Sequence, residues 1–332
     1  MTKVHDDIAA RIAVIGLGGT ISMVAGPQGL IPARSVQTMI GEIAHAYDRT
    51  EFVCHDICTV PSASIELETL DRVARLIDGC VADGITGVVV IQGTDSMEET
   101  AFALELLCAP DLPVVMTGAM RGAQQAGADG PANLKAAIIV ASSAPHGVYV
   151  VMNDEVHAAR YVSKRHTTAL NAFSSGDTGP VGRVHEGRLT GFRSPGPRLK
   201  RLQTDQPAPW PRVAVLTSVL GDDAGMIRSV VAGGYQGCVL DAMGAGHVPA
   251  ALVADIEIMV AAIPVLLCSR TDSGRVCENT YAYPGSEVDL LARGVSPACT
   301  LTTIKTRILL LCALRANENE APRSVRDTIR II

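Results

Sequence analysis

Apolar residues fall along this chain in two alternating patterns. Ile12 to Ile15, Gly87 to Ile91, Val114 to Thr117 and Val148 to Met152 are short β-branched runs, apolar at successive positions. A strand covered on both faces has no polar side to show, so these runs predict buried parallel strands. Between them, Leu70, Val73, Ala74, Ile77 and Val81 recur at helical spacing, and Gly84 is placed to end that helix. Ser96-Met-Glu-Glu99 has the form of a capping box, which predicts a helix start just after Gln92-Gly-Thr-Asp95. Pro131, in Asp129-Gly-Pro-Ala, opens another helix, because proline suits the first helical position.

The periodicity lapses from Gly191 to Pro211, where Arg, Pro, Gln and Lys dominate. Residues 191–212 therefore read as a linker, longer than connections inside compact domains usually are. Beyond it the alternation resumes. A strand is expected at Val213 to Val219, a helix from Asp222, strands at Cys238 to Asp241 and Val265 to Cys268, then a closing helix containing Ile308 to Ala313. Two α/β domains follow from this order, a larger one over residues 1–190 and a smaller one over residues 213–332.

Composition narrows the partners. Of 332 residues, 48% are hydrophobic, ample for packed cores. The net charge of −6 and the lack of a basic stripe argue against nucleic acid. Arg193 to Arg201 forms the nearest thing to a basic cluster, and its Pro/Gly-rich setting reads as a solvated loop. No apolar stretch reaches membrane-spanning length, and the first residues lack the order of a secretory leader, so the expectation is a cytoplasmic protein that does not engage membranes. Nine cysteines without a C-x-x-C pair read as reduced, mostly buried thiols, and neither they nor the eight histidines show metal-ligand spacing. No metal is expected.

Ligands of open α/β sheets bind beyond the carboxyl ends of parallel strands, and two such ends carry polar clusters. Gly16-Leu-Gly-Gly-Thr20-Ile-Ser22 follows the first strand. A dinucleotide loop would need glycine where Ile21 stands, and no Gly-Lys-Ser/Thr follows. What remains is a glycine-rich turn exposing backbone N–H groups beside a hydroxyl, a combination suited to an oxyanion hole next to a nucleophile. Gly93-Thr94-Asp95 is the second cluster. It could merely help cap the helix. Ser96, however, supplies a cap of its own, which leaves Asp95 free to point elsewhere. A hydroxyl nucleophile needs a base, and His5, His45 and His55 have unremarkable surroundings. A desolvated lysine can serve. Lys3 lies in the tail, Lys135 on a helix and Lys200 in the linker, whereas Lys164 follows a strand region and precedes Arg165-His-Thr-Thr168.

Taken together, these segments resemble the bacterial-type L-asparaginase/glutaminase family. Gly18-Gly-Thr-Ile-Ser22 resembles its N-terminal signature, and Gln92-Gly-Thr-Asp-Ser-Met-Glu-Glu-Thr-Ala101 its second. Pro113-Val-Val-Met-Thr-Gly-Ala-Met-Arg121, Ala128-Asp-Gly-Pro131 with Asn133, and Val150-Val-Met-Asn-Asp154 match in order and spacing. The C-terminal half matches mainly in length and β/α alternation. The resemblance implies a larger doubly wound N-terminal domain, a smaller α/β C-terminal domain and a homotetramer built from dimers. It implies hydrolysis of a side-chain amide to a carboxylate and ammonia, without cofactor, on L-asparagine or glutamine. It also implies roles: Thr20 as nucleophile, and Thr94 with Lys164 as base or relay and Asp95 beside it. Asp95 would hold the substrate α-ammonium and Ser62 its α-carboxylate, while N–H groups near Gly19 or Gly93 would stabilise the oxyanion. Which threonine attacks stays open.

Three departures bear on these roles. The loop after the first signature reads Gly26-Pro-Gln-Gly-Leu-Ile-Pro-Ala33, aliphatic where the family carries a tyrosine. Tyr281 or Tyr283 could supply the phenol instead. Ala63 stands where many members have glutamine, and Ala245 roughly where secreted members have asparagine. The alternatives are therefore an amidohydrolase for a different small amide, or an asparaginase fold with reduced or lost activity that binds amino acids. An amidotransferase role on charged tRNA would call for an extra N-terminal domain, and none fits before Ile12. Met23 to Pro32, rich in glycine and proline, is expected to be a lid.

Overall fold

A computed structural model describes residues 10–26, 29–32, 34–108, 110–202, 208–298 and 300–316. The chain divides into two compact units, Met1–Arg201 and Leu202–Ile332.

In the first unit the continuous apolar runs become central strands. In chain order the elements are β1 (Ala10–Gly18), the hairpin β2 (Met23–Gly26) and β3 (Gly29–Pro32), α1 (Val36–Ile43), β4 (Thr50–Val60), α2 (Leu67–Cys80) and β5 (Gly87–Ile91). There follow α3 (Met97–Leu107), β6 (Pro113–Thr117), α4 (Gly130–Ser143), β7 (Gly147–Met152), β8 (Glu155–Ala158), β9 (Ser163–Lys164), β10 (Phe173–Ser174), β11 (Gly182–His185) and β12 (Arg188–Thr190). One eight-stranded sheet runs β12-β11-β8-β7-β6-β5-β1-β4. Its β4, β1, β5, β6 and β7 are parallel, and β8, β11 and β12 extend it antiparallel. Every residue of β5 and β6 is buried, as an apolar run without alternation requires.

Ile12, Val14, Val89, Ile91, Val115 and Val151 meet α1 and α4 in one core cluster. Helices α2 and α3 pack on each other outside that cluster, with α3 against β6 and β7. The helices thus cover both faces of the sheet. Three crossovers, through α1, α2 and α3, share one hand. The β6-α4-β7 crossover moves along the sheet in the same direction as β5-α3-β6 but over the opposite face, so its hand is reversed. That is uncommon, since a right-twisted sheet favours one hand strongly.

Several expectations shift in detail. Leu70, Val73, Ala74 and Ile77 of α2 are buried, but the helix ends at Cys80 and Val81 is 52% exposed. The chain turns at Gly84 (φ +74°), and Ile85 is buried in its place. Ser96 occupies the N-cap of α3 without capping it: its φ of −113° and ψ of 14° are not the extended conformation that aims a side chain at the first N–H groups. Pro131 does open α4. The Asn153-Asp154 pair, both at positive φ, makes the two-residue turn between antiparallel β7 and β8, a conformation these two side chains tolerate well. Met23–Pro32 is largely a β-hairpin rather than an irregular loop, with Pro27 and Gln28 outside the described residues. Lys3 and His5 also lie outside them. The Arg193–Arg201 stretch is engaged by carboxylates, Arg198 with Asp111 (2.7 Å) and Arg201 with Asp78 (2.5 Å).

The second unit repeats the pattern on a smaller scale: β13 (Val213–Thr217), α5 (Gly225–Ala232), β14 (Gly237–Ala242), α6 (Val253–Ala262), β15 (Val265–Ser269), α7 (Glu287–Ala292), β16 (Ser296–Pro297) and α8 (Thr303–Ala316). Its four-stranded parallel sheet has the order β13-β14-β15-β16. The helix expected from Asp222 starts at Gly225, because the Asp223 carboxylate accepts the Gly225 N–H (2.8 Å) in a preceding turn. Among the described residues the cysteines are free thiols, and burial pushes Cys80 up to about 11 and Cys238 and Cys268 up to about 12. No described helix is long and apolar enough to cross a membrane.

Within this unit a carboxylate, an imidazole and a phenol line up. Glu287, fully buried, accepts the N–H groups of Thr280 (2.9 Å) and Tyr281 (2.7 Å) and lies 3.1 Å from His247 Nε2. Tyr283 Oη is 2.9 Å from His247 Nδ1, and the Tyr281 ring packs edge-on against the imidazole. Burial pushes the Glu287 carboxyl up. The hydrogen bonds from Tyr281, Thr280, its own N–H and His247 together outweigh burial, and the net shift is below the ordinary 4.5. A depressed carboxyl stabilises the fold fully above its unfolded value and loses that contribution as pH falls through its folded value. Thermal unfolding of wild type and Glu287→Gln should therefore differ most above pH 4.5, with the gap closing below it. A gap that stays constant across the acid range would show that the charge of Glu287 does not carry its stabilising role.

Candidate active site

The three strands β4, β1 and β5 lie side by side, so the loops leaving their carboxyl ends meet. Backbone packs on backbone there. A Cβ on Gly18 would lie 2.6 Å from the Val60 backbone, and one on Gly19 would lie 2.1 Å from the Gly93 nitrogen. Both residues also have positive φ, +95° and +91°, which glycine alone adopts without strain. Thr20 then opens a short 3₁₀ turn to Ser22, whose hydroxyl donates back to the Gly19 carbonyl (2.8 Å). The glycines of the first signature thus bring the Thr20 turn against the loop that carries Gly93 and Thr94.

Ser62, in the turn after β4, is buried, and its Oγ accepts the Asp95 N–H at 3.2 Å. Its carbonyl accepts the Ser96 hydroxyl (2.8 Å), and Ser96 Oγ in turn accepts from Gln92 Nε2 (3.1 Å). Ser96 is therefore occupied in joining two loops. Asp95, expected to be free to point elsewhere, is held by a route of its own.

That route is Lys164. Its Nζ donates to Thr94 Oγ1 (2.9 Å) and to Asp95 Oδ1 (2.5 Å). The lysine side chain is 12% exposed and the Asp95 side chain 70%, so the cation is sheltered while the carboxylate faces solvent. Lys164 sits 70 residues from Thr94 in sequence. It reaches the loop from β9, which pairs with β10, and the residue after β10, Ser175, is tied to His157 of β8 at 2.9 Å. The strand bearing the lysine is thereby anchored to the main sheet. The elimination that singles out Lys164 omits one lysine, Lys305. That residue is fully buried on α8 of the second unit.

Two strand ends beside this group are fixed in the same manner. Asp129 accepts the N–H groups of Met120 and Arg121 (2.9 Å each), and Asn133 bridges the Gly118 carbonyl (3.0 Å) and the Asn153 N–H (3.0 Å). The resembling segments after β6 and β7 thus brace the carboxyl edge of the sheet.

A threonine hydroxyl, a lysine amine and a carboxylate within hydrogen-bond reach form a proton-transfer set, with Gly93 and Gly19 bringing unobstructed backbone close by. Residues 11–196 match the family model described as Asparaginase, N-terminal. The chain belongs to the asparaginase family. Residues 212–327 match the model described as Glutaminase/Asparaginase C-terminal domain. A probable L-asparaginase of Deinococcus radiodurans is 34% identical over 315 residues, covering 92% of each chain. An L-asparaginase of Bacillus licheniformis is 30% identical over 310 residues, 92% of this chain and 95% of that one. The crystal structure of a probable cytoplasmic L-asparaginase from Campylobacter jejuni superposes with a TM-score of 0.86 at 29% identity, over 97% of this chain and all of that one.

Two residues of this asparaginase-family site escaped the sequence reading. Gln92 is fully buried and holds Ser96. Glu98 is 5% exposed and accepts the Lys164 N–H (3.0 Å). Two adjacent glutamates at a helix start look alike in sequence, and the capping-box pattern draws attention to Glu99.

Proposed function

We propose that this protein hydrolyses the side-chain amide of a free amino acid, L-asparagine first and glutamine second, to a carboxylate and ammonia. The observation that carries the reading is the lysine bridging a threonine hydroxyl and an exposed carboxylate. The names of the related proteins support the substrate class.

Thr20 or Thr94 attacks the amide carbonyl as its hydroxyl proton leaves. Lys164, entering the step as the neutral amine after releasing a proton to solvent, accepts that proton through the contact with Thr94, with the hydroxyl donating in that step. Backbone N–H groups near Gly19 or Gly93 take the negative charge on the carbonyl oxygen. Collapse of the tetrahedral species expels the amide nitrogen, protonated, as ammonia and leaves an acyl ester. Water hydrolyses the ester and restores the hydroxyl. Asp95 binds the substrate α-ammonium through its exposed carboxylate, and the Ser62 hydroxyl, which accepts from Asp95 N–H, keeps its own proton to donate to the α-carboxylate. Residues 1–190 carry this machinery, residues 191–212 link it to the domain over 213–332, and the protein works in the cytoplasm as a homotetramer without cofactor. The hairpin Met23–Pro32 acts as a lid.

A second reading rests on one feature, the aliphatic Leu30-Ile31 where a loop tyrosine is expected. Tyr283 and Tyr281 are engaged with His247. On that reading the protein binds an amino acid with little turnover. Ammonia release from L-asparagine, L-glutamine, D-asparagine and simple amides separates the two. Release that vanishes in Thr94→Val establishes the amidohydrolase; saturable amino-acid binding without release at millimolar substrate establishes the binding protein.

A further inference from the structure

We infer that Glu98 is a positioning residue for Lys164, holding the backbone from which the lysine reaches the reacting threonine. Lys164 is gripped at both ends by one short segment. Its Nζ meets Thr94 and Asp95, and its backbone N–H donates to Glu98 Oε1 at 3.0 Å. Residues 94–98 thus clamp the lysine between the loop after β5 and the first turn of α3.

The clamp meets a local need. β9 is two residues long, as is its partner β10, so the ladder around Lys164 is short. A lysine side chain has many rotamers to lose, and a loose backbone would add to what the Thr94 contact must fix. The Glu98 bond spans 66 residues and fixes that origin.

Burial sets this glutamate apart from an ordinary helix-start acid. A carboxylate in the first turn of a helix is favoured by the dipole, but the usual position is solvated. Glu98 is 5% exposed, and its Oε2 is buried without a hydrogen-bond partner among the described residues. A buried acceptor left unmet is costly, and native proteins keep few of them. Here one oxygen secures the Lys164 N–H while the other meets no donor among the described residues.

The inference rests on Lys164 serving the reaction, so its test includes Lys164→Met. Glu98→Gln and Glu98→Met are nearly isosteric and differ in whether an acceptor remains. Glu98→Met should lower kcat roughly ten- to a hundredfold, with KM changing less than about threefold, since misplacing a reacting group by an ångström costs of that order. Glu98→Gln should stay within about threefold of wild type, because its amide oxygen can take the same N–H. Hydrogen exchange should show the Lys164 amide protected in wild type and Glu98→Gln and exposed in Glu98→Met. If Lys164→Met abolishes turnover while Glu98→Met keeps it within twofold, the Glu98 inference falls alone. If Lys164→Met keeps turnover, the catalytic reading of Lys164 falls and takes the inference with it. Should Glu98→Met fail to fold, the wild-type measurement still decides, since an unprotected Lys164 amide overturns the clamp.

Discussion

Thr94→Val and Lys164→Met should each lower kcat for amide hydrolysis by about a thousandfold or more, roughly 4 kcal/mol of transition-state stabilisation. Valine keeps the shape of threonine and removes only the hydroxyl that receives Lys164 Nζ at 2.9 Å. Methionine keeps most of the lysine stem and removes the amine. Neither change should unfold the protein. Thr94→Val removes one contact of Lys164 and Lys164→Met removes two, and Asp95, released from the ion pair, is already 70% exposed and can be solvated. Melting temperature, measured beside steady-state kinetics, separates lost chemistry from lost fold. Because both groups serve one proton transfer, the double variant should be little worse than either single one. Losses that multiply in the double variant would show that the two groups act in separate steps, and wild-type turnover in both single variants would remove Thr94 and Lys164 from the mechanism.

Gly19→Ala should cost at least about a hundredfold in kcat, through displacement of the loop, since an ångström of misplacement at a reacting group is worth that much. The added methyl would lie 2.1 Å from the Gly93 nitrogen and 2.3 Å from its Cα, so the backbone itself must move. Alanine at φ +91° and ψ −179°, a region that only glycine populates readily, adds strain of about 1–3 kcal/mol. Loss of activity should be accompanied by a lowered melting temperature, unlike the Thr94 and Lys164 variants. Gly79→Ala is the matched control. Gly79 lies within α2 with open space around its would-be Cβ, and alanine there should stabilise by up to about 1 kcal/mol. Wild-type kinetics in Gly19→Ala would mean that the close approach of the two loops is not needed for the reaction.

Much of the candidate site was legible because it sits where strands end. The runs around Ile12 and Val88 had to be buried strands, and the polar clusters at their carboxyl ends had no packing reason to be there. Lys164 was legible only weakly. Its sequence neighbours predict nothing about Thr94, and elimination among lysines overlooked Lys305 on α8. Ser96 was misread in its role, because a capping-box pattern reports residue types and not the dihedral angles that aim a hydroxyl. Glu98 was missed because nothing local separates a clamping glutamate from its neighbour Glu99.

Sequence pattern alone was enough for the buried strands β1, β5, β6 and β7 and the helices α2, α3 and α4, since burial on one or both faces imposes a period on the residues. Helix α1, strand β4 and the β2-β3 hairpin went unread. The pattern also marked a glycine-rich turn before Thr20, and the structure supplied the reason for the glycines, a positive φ at Gly18 and Gly19. The tertiary structure alone decided how those segments meet. Periodicity is blind to which face of the sheet a helix covers, so the reversed hand of the α4 crossover left no trace in the pattern. Contacts between residues 66 or 70 positions apart depend on strand order, which brings β9 over the loop leaving β5. Only there does the fold bring Thr94, Asp95 and Glu98 within hydrogen-bond distance of Lys164.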